Sequence, residues 1–314
     1  MLVFKNTKPY IAIFLFSLLA SLIIAQDSLI VSPQQPEITD TLNTLGTTIL
    51  TDSLLENRLH ANKVFKNIIL KELHGQADFS IAYDSLKSVL IKTAPDSTFR
   101  IYTWQLYISD DKYKYEGIIQ LNNADHEIIT LTDNSQEYMS PEFEQGDKDH
   151  WLGNLCYNIH SFESYEEERS YLLFGLNTHS LMERKKIIDV LTIKEGEISF
   201  GMPVFLKSED SRNHPPTKNR VIIEYFAGAA VKANYEESKS QIQFDHLIFK
   251  STPYGDFLIP DGSYEGYTLS EGYWKHVPKI YDHVYDEAPR PSPVFTEKRE
   301  DRLDIFGKKL KNRQ

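Results

Sequence analysis

From Thr51 onward, apolar positions recur with helical spacing. The run TDSLLENRLHANKVFKNIILKELHG places Leu54, Leu55, Leu59, Val64, Phe65, Ile68, Ile69 and Leu73 on one broad stripe. Asp52 or Ser53 can cap its start and Gly75 suits its end, so a helical segment is predicted over 51–78, with a second short helix at Tyr83–Lys87. The rhythm then changes to period two. VLIKTA, a PDS turn and FRIYTWQLYI read as a hairpin; SDDK leads into YKYEGIIQLN, and NAD into HEIITLT. The polar run 133–150 reads as a loop. Further strands are WLGNLCYNIHSF, SYLLFGL and, after a tight KEGE turn, ISFGMPVFLK, with SEDSRNHPPTKNR as a second loop.

The longest alternation is RVIIEYFAGAAVKANY, in which Val221, Ile223, Tyr225, Ala227, Ala229, Val231, Ala233 and Tyr235 all lie two apart. At ~3.3 Å per residue a straight strand of this length would span roughly 50 Å, so it is expected to bend, with Gly228 as the site. EESKS turns the chain into QIQFDHLIFK, where Ile242, Phe244, His246 and Ile248 share a face and His246 reads as a satisfied core histidine. A last hairpin, GSYEGYTL–SEG–YWKHVPKI, ends the periodic region. Local turns throughout predict a mainly β fold, α+β at the N-terminus: an antiparallel meander of hairpins around a long bent strand, preceded by a helix. Propeller-like or barrel-like closure is left open. Tyr115-Glu116-Gly117 recurs as Tyr264-Glu265-Gly266, but three shared residues make a weak case for blades.

The ends change the picture. Lys5 and Lys8 precede IAIFLFSLLASLIIA, an uncharged stretch ending at Ala25. This is the pattern of a secretory signal peptide, and the stretch is short beside the ~20 residues of a membrane span. The expected division is therefore 1–25 signal peptide, 26–50 spacer, 51–78 helical segment, 79–285 antiparallel β domain, and 286–314 a Pro-rich linker with a charged tail. No cysteine lies near Ala25, so the expectation is a periplasmic or extracellular protein that is not lipid-anchored. The one cysteine, Cys156, excludes an intramolecular disulfide and a cysteine-rich zinc site, and reads as a small buried residue. The formal charge of −11 would deepen by two on removal of Lys5 and Lys8. An acidic surface disfavours nucleic acid as a partner.

In NTHSLMERKKIIDVLTI, His179, Ser180 and Asp189 are near neighbours, but adjacent side chains on an extended backbone point apart. Ser180 and Glu183 instead fit a capping box, predicting one helical turn before a strand. Asp261, Ser263, Glu265 and Gly266 match early positions of a calcium loop, whose twelfth position should be Glu and is Gly272, so a turn is expected. The histidines show no metal-ligand spacing, as His126-Glu127 has Thr130 where a second His would stand and His276 and His283 are seven apart; neither metal nor cofactor is expected. Carboxylates for glycoside chemistry would have to come from Glu224, Asp245, Asp189, Glu265 and Asp261, read otherwise as solvated strand positions. With 18 Tyr and 17 Phe in the chain, display of aromatic rings is the strongest remaining feature. Trp104, Tyr264, Glu265, Tyr267 and Trp274 are the candidate ligand-binding residues, weighed against core packing of the same rings.

FRIYTWQLYI, YLLFGLNTHSLMERKKIIDVLTI, GMPVF, FDHLI and LIPDGSYEGYTLSEGYWKHV resemble an uncharacterised family of exported proteins from Bacteroidota-type bacteria. The resemblance covers roughly Phe79–Pro278. It implies an exported, β-rich domain and supplies no activity. The functional expectation is an exported, non-enzymatic binding or envelope-associated protein, with an envelope protein or a glycan as partner and the tail as a further attachment. The alternative is a hydrolase of envelope or extracellular glycans.

Overall fold

A computed structural model describes residues 35–74, 85–178, 180–207, 217–252 and 255–280. The expected signal peptide, the expected linker and tail, His179, His283 and the first two residues of the helix predicted at Tyr83–Lys87 lie outside the described residues. The part of that helix within them, 85–87, is a turn.

The described residues begin with two helices, α1 (Gln35–Thr51) and α2 (Leu55–His74). α1 corrects the expectation of a spacer over 26–50. Its composition, rich in Thr, is poor for a helix. Five threonine hydroxyls nevertheless donate back to carbonyls four residues earlier, and Leu42 and Ile49 are buried with Ile38 and Leu45 beside them. That 4-3-4 spacing is a helical stripe, and tertiary burial outweighs propensity.

Fourteen strands follow among the described residues: β1 (Leu90–Thr93), β2 (Phe99–Ser109), β3 (Lys112–Leu121), β4 (Ile128–Thr132), β5 (Leu155–Glu163), β6 (Arg169–Asn177), β7 (Glu183–Lys194), β8 (Glu197–Phe200), β9 (Phe205–Leu206), β10 (Val221–Phe226), β11 (Ala233–Glu236), β12 (Gln241–Thr252), β13 (Gly255–Ser270) and β14 (Tyr273–Val277). They form three open sheets, in the orders β1-β2-β3-β4, then β10-β7-β6-β5 with β8 beside β7, then β11-β12-β13-β14-β9. Strand pairing is antiparallel except between β14 and β9. Among the described residues neither a barrel nor a ring of blades forms.

Three hydrophobic cores stack these elements into four layers. One joins the helices to the first sheet through Phe65, Tyr102, Trp104, Leu106 and Ile118. A second joins the first and second sheets through Phe99, Ile101, Ile119, Tyr171, Leu173 and Leu191. The third joins the second and third sheets through Leu172, Phe174, Ile188, Val190, Ile242 and Trp274. Adjacent residues on β2, β6 and β7 thus serve different cores. A strand covered on both faces needs apolar residues at odd and even positions alike, which is why FRIYTWQLYI and SYLLFGL read as continuous runs.

The long alternating run is divided. Val221–Phe226 pairs with β7 in the second sheet, and Ala233–Glu236 pairs with β12 in the third. The bend falls at 227–232, around Gly228, as the small residues there suggest. Val221, Ile223, Tyr225, Val231 and Ala233 all enter the same core, so the even-odd rhythm survives the corner.

On β12 the rhythm breaks. A bulge between Asp245 and Leu247 shifts the register against β13. Ile242 and Phe244 are buried, Leu247 packs beside the core, and Ile248 is 43 % exposed. His246 is therefore a surface residue, hydrogen-bonded to Asp261, and not the core histidine expected: it stands alone opposite residues 261–263 of β13, where the irregularity breaks the alternation of faces.

Near β7, the Ser180 hydroxyl accepts from the backbone amides of Met182 at 3.0 Å and Glu183 at 3.1 Å. The predicted acceptance from Glu183 is present, but no helical turn follows. Glu183 already pairs with Phe226 as the first residue of β7, and its β-branched continuation favours the strand.

The β1–β2 turn is tied to the second sheet by Asp96, whose carboxylate accepts from Arg169 Nη1 and Tyr171 Oη, both at 2.9 Å, and from the Thr98 amide at 3.1 Å. Burial opposes its ionisation, yet these donors outweigh burial and bring its pKa from 3.8 to about 2. A depressed carboxyl stabilises the fold above its unfolded-state pKa and stops doing so as pH falls through its folded-state value. Acid titration followed by near-ultraviolet circular dichroism should show Asp96→Asn less stable at neutral pH, with the difference from the parent closing between pH 3.8 and about 2. A constant difference across that window would mean that ionisation of Asp96 is not what ties the sheets.

Candidate functional site

The second and third sheets diverge at one end and leave a groove of about 490 Å³. β10 forms one wall because it is the terminal strand of its sheet; β12, β13 and β14 form the other. Val221, Ile223, Phe244, Leu247, Leu258 and Tyr267 give it an apolar floor continuous with the core beneath. Burial raises the pKa of the Tyr267 phenol, so this ring enters the groove as a neutral surface.

The rim is charged with both signs, and its groups are paired except Lys207. On β13 and β14, Tyr267 stands opposite His276, and the strand period brings Glu265 to the same face. His276 donates from Nε2 to Glu265 at 2.9 Å. Across the bulge, His246 donates from Nδ1 to Asp261 at 3.0 Å. The backbone amide of Ser263 and then its hydroxyl hold Asp261 strongly anionic, with a pKa of about 2, and His246 adds to this. On the β10 side Lys218 donates to Glu142 at 2.7 Å, and Glu142 also accepts weakly from the Ile222 amide. Glu224 is ion-paired with Lys185. Lys207 has no partner among the described residues.

Of the expected ligand-binding residues, Glu265 and Tyr267 reach this groove. Tyr264 lies half-buried on β13, its carbonyl accepting from the Ile280 amide. Trp104 and Trp274 are 1 % and 0 % exposed, each at the centre of a different core, which corrects their expected display. Glu224 and Glu265 line the same groove, whereas Asp189 and Asp245 are buried, not solvated. Asp189 is ion-paired with Arg220, and Asp245 accepts from the Lys232 amide at 2.6 Å beside the bulge. His276 was within reach of sequence reasoning, since the hairpin turn fixes its partner on β13. Glu142 and Lys218 come from irregular segments that carry no period.

The calcium-loop spacing falls inside β13, where Asp261 and Glu265 are spent on Ser263, His246 and His276; Gly272 occupies the β13–β14 turn with φ +75°. No group of three or more His, Cys, Asp or Glu is placed to hold a metal ion among the described residues. Cys156 is buried, and burial raises its thiol pKa to about 12. No helix among the described residues is long and apolar enough to cross a membrane. Comparison with protein-family profiles, with curated proteins and with solved structures finds no match for the chain.

Proposed function

We propose that this is an exported, envelope-associated binding protein and that the groove between the second and third sheets holds a segment of a partner polypeptide. The export reading rests on the N-terminal targeting pattern. The binding reading rests on one observation: an apolar floor bounded by a rim whose acids are already paired with bases, with Lys207 left over. Such a surface offers area for apolar side chains and charges of both signs for a peptide's own. A sheet-terminal strand, β10, forms one wall, and terminal strands carry main-chain groups suited to an extended peptide.

Capture from native envelope extracts tests this. Leu258→Glu puts a charge on the floor without touching a core centre. It is expected to lose at least about tenfold of partner binding while the thermal midpoint stays close to the parent's. Equal capture by the parent and Leu258→Glu would exclude the groove.

A second reading, glycan hydrolysis, has one observation in its favour: Glu224 and Glu265 line a single groove. It requires that turnover of an envelope glycan vanish in both Glu224→Gln and Glu265→Gln.

A further inference from the structure

On the other side of β10 lies a larger cleft of about 850 Å³, separate from the groove except that both are lined by Ile222. It is bounded by the start of β3, the segment 133–141 and the outer part of β7. Tyr113 and Tyr138 supply aromatic surface, and Ile187 and Ile222 add aliphatic surface.

Its polar groups are used unevenly. Asp133 is fully engaged, accepting from the amides of Tyr115 at 2.9 Å and Ser135 at 3.2 Å and from the Ser135 hydroxyl at 2.5 Å. Glu137 lies 3.5 Å from His150, and Lys185 is held by Glu224. Lys112 and Lys114, side by side on one face of β3, are exposed and have no partner among the described residues, with Asp111 as the one carboxylate near them that is equally unengaged. Gln136 is likewise exposed and free. At the inner wall Asn177 is 6 % exposed: its Nδ2 donates to the Gly153 carbonyl at 2.7 Å, while its Oδ1 is buried with no partner.

We infer that this cleft is a binding site for an acidic saccharide chain, recognised through aromatic surface on Tyr113 and Tyr138, hydroxyls on Gln136, and a carboxylate on Lys112 and Lys114. Each element answers a feature of that ligand class. Sugar rings present apolar C–H faces to aromatic surfaces, hydroxyls require donors and acceptors in a concave wall, and a free ammonium pair on a chain of net charge −11 selects an anion. The site is independent of the peptide groove, so the protein would join a polypeptide to a glycan.

The experiment is calorimetric titration of the whole exported chain with an oligogalacturonate and, in parallel, with a neutral malto-oligosaccharide. The acidic chain is expected to bind more tightly than the neutral one, and to weaken at least about tenfold between roughly 0.05 and 0.5 M salt. Lys112→Ala with Lys114→Ala, both at exposed positions, should remove the preference for the acidic chain. Tyr113→Ala should weaken both sugars, and Leu258→Glu in the groove should leave both unchanged. Equal affinity for the two sugars, no binding of either, or binding that ignores the lysine substitutions would each overturn the inference.

Discussion

Arg220→Met is expected to cost about 3–5 kcal/mol of folding stability, the usual penalty for stranding the other half of a buried ion pair. Arg220 and Asp189 are 0 % and 1 % exposed and meet at 2.9 Å between Nε and Oδ1. The guanidinium also donates through Nη1 to the carbonyls of Pro141 and Glu144, the latter at 2.7 Å, and lies 5.3 Å from the centre of the Tyr138 ring. It thereby pins the irregular segment 133–146 onto the second sheet. Removing it leaves a carboxylate in a medium of low polarity and frees the segment at once. Asp189 Oδ2 and Arg220 Nη2 have no partner, so the pair is not worth its full electrostatic attraction. Replacing both residues, Asp189→Leu with Arg220→Met, should therefore recover much of the loss. Urea unfolding of the single and double variants at neutral pH measures this. A double variant no more stable than the single would assign the effect to lost carbonyl contacts instead of the stranded charge.

Trp104→Ala is expected to be as damaging, at about 3–5 kcal/mol for a large aromatic removed from a core. Its ring packs 5.3 Å from that of Phe65 on α2, and its indole donates to Asn62 Oδ1 at 2.8 Å. Asn62 in turn donates to Glu116 at 2.9 Å, and Lys66 closes the chain on the same carboxylate at 2.7 Å. Trp104→Phe keeps most of the apolar volume and leaves Asn62 without its donor, a loss of about 1–3 kcal/mol. The ordering Ala below Phe below parent in denaturant midpoint is the signature of a core tryptophan. Stability unchanged in Trp104→Ala, with binding lost, would restore the displayed role that its sequence neighbours suggested.

That tryptophan shows where sequence reading succeeds and stops. Period-two alternation located most strands from Leu90 to Val277, because pleat geometry is written in adjacent residues; it merged β8 with β9 and expected a turn at Asp261 to Gly266, where β13 runs through. It could not say that β2 has two covered faces, since nothing local docks α2 on that sheet, and the rest of the cover is α1, a threonine-rich segment whose Ile38, Leu42, Leu45 and Ile49 stripe is narrow. The bulge at Asp245 left no trace in QIQFDHLIFK, so His246 was assigned to the wrong side. The Asp189–Arg220 pair joins residues 31 apart in sequence through packing, for which no local pattern exists. At the groove, Glu265 and Tyr267 were legible as hairpin residues; Glu142 and Lys218 were not, being carried there by irregular backbone.

The corner at Gly228 has a mechanical consequence. A single uninterrupted length of main chain is stitched into one sheet by its first half and into the next by its second, so the two walls of the groove share a covalent hinge pin. At this end their separation is limited to what residues 227–232 can span. A guest must therefore conform to a gap of fixed gauge, and its arrival should rigidify the visitor far more than the host.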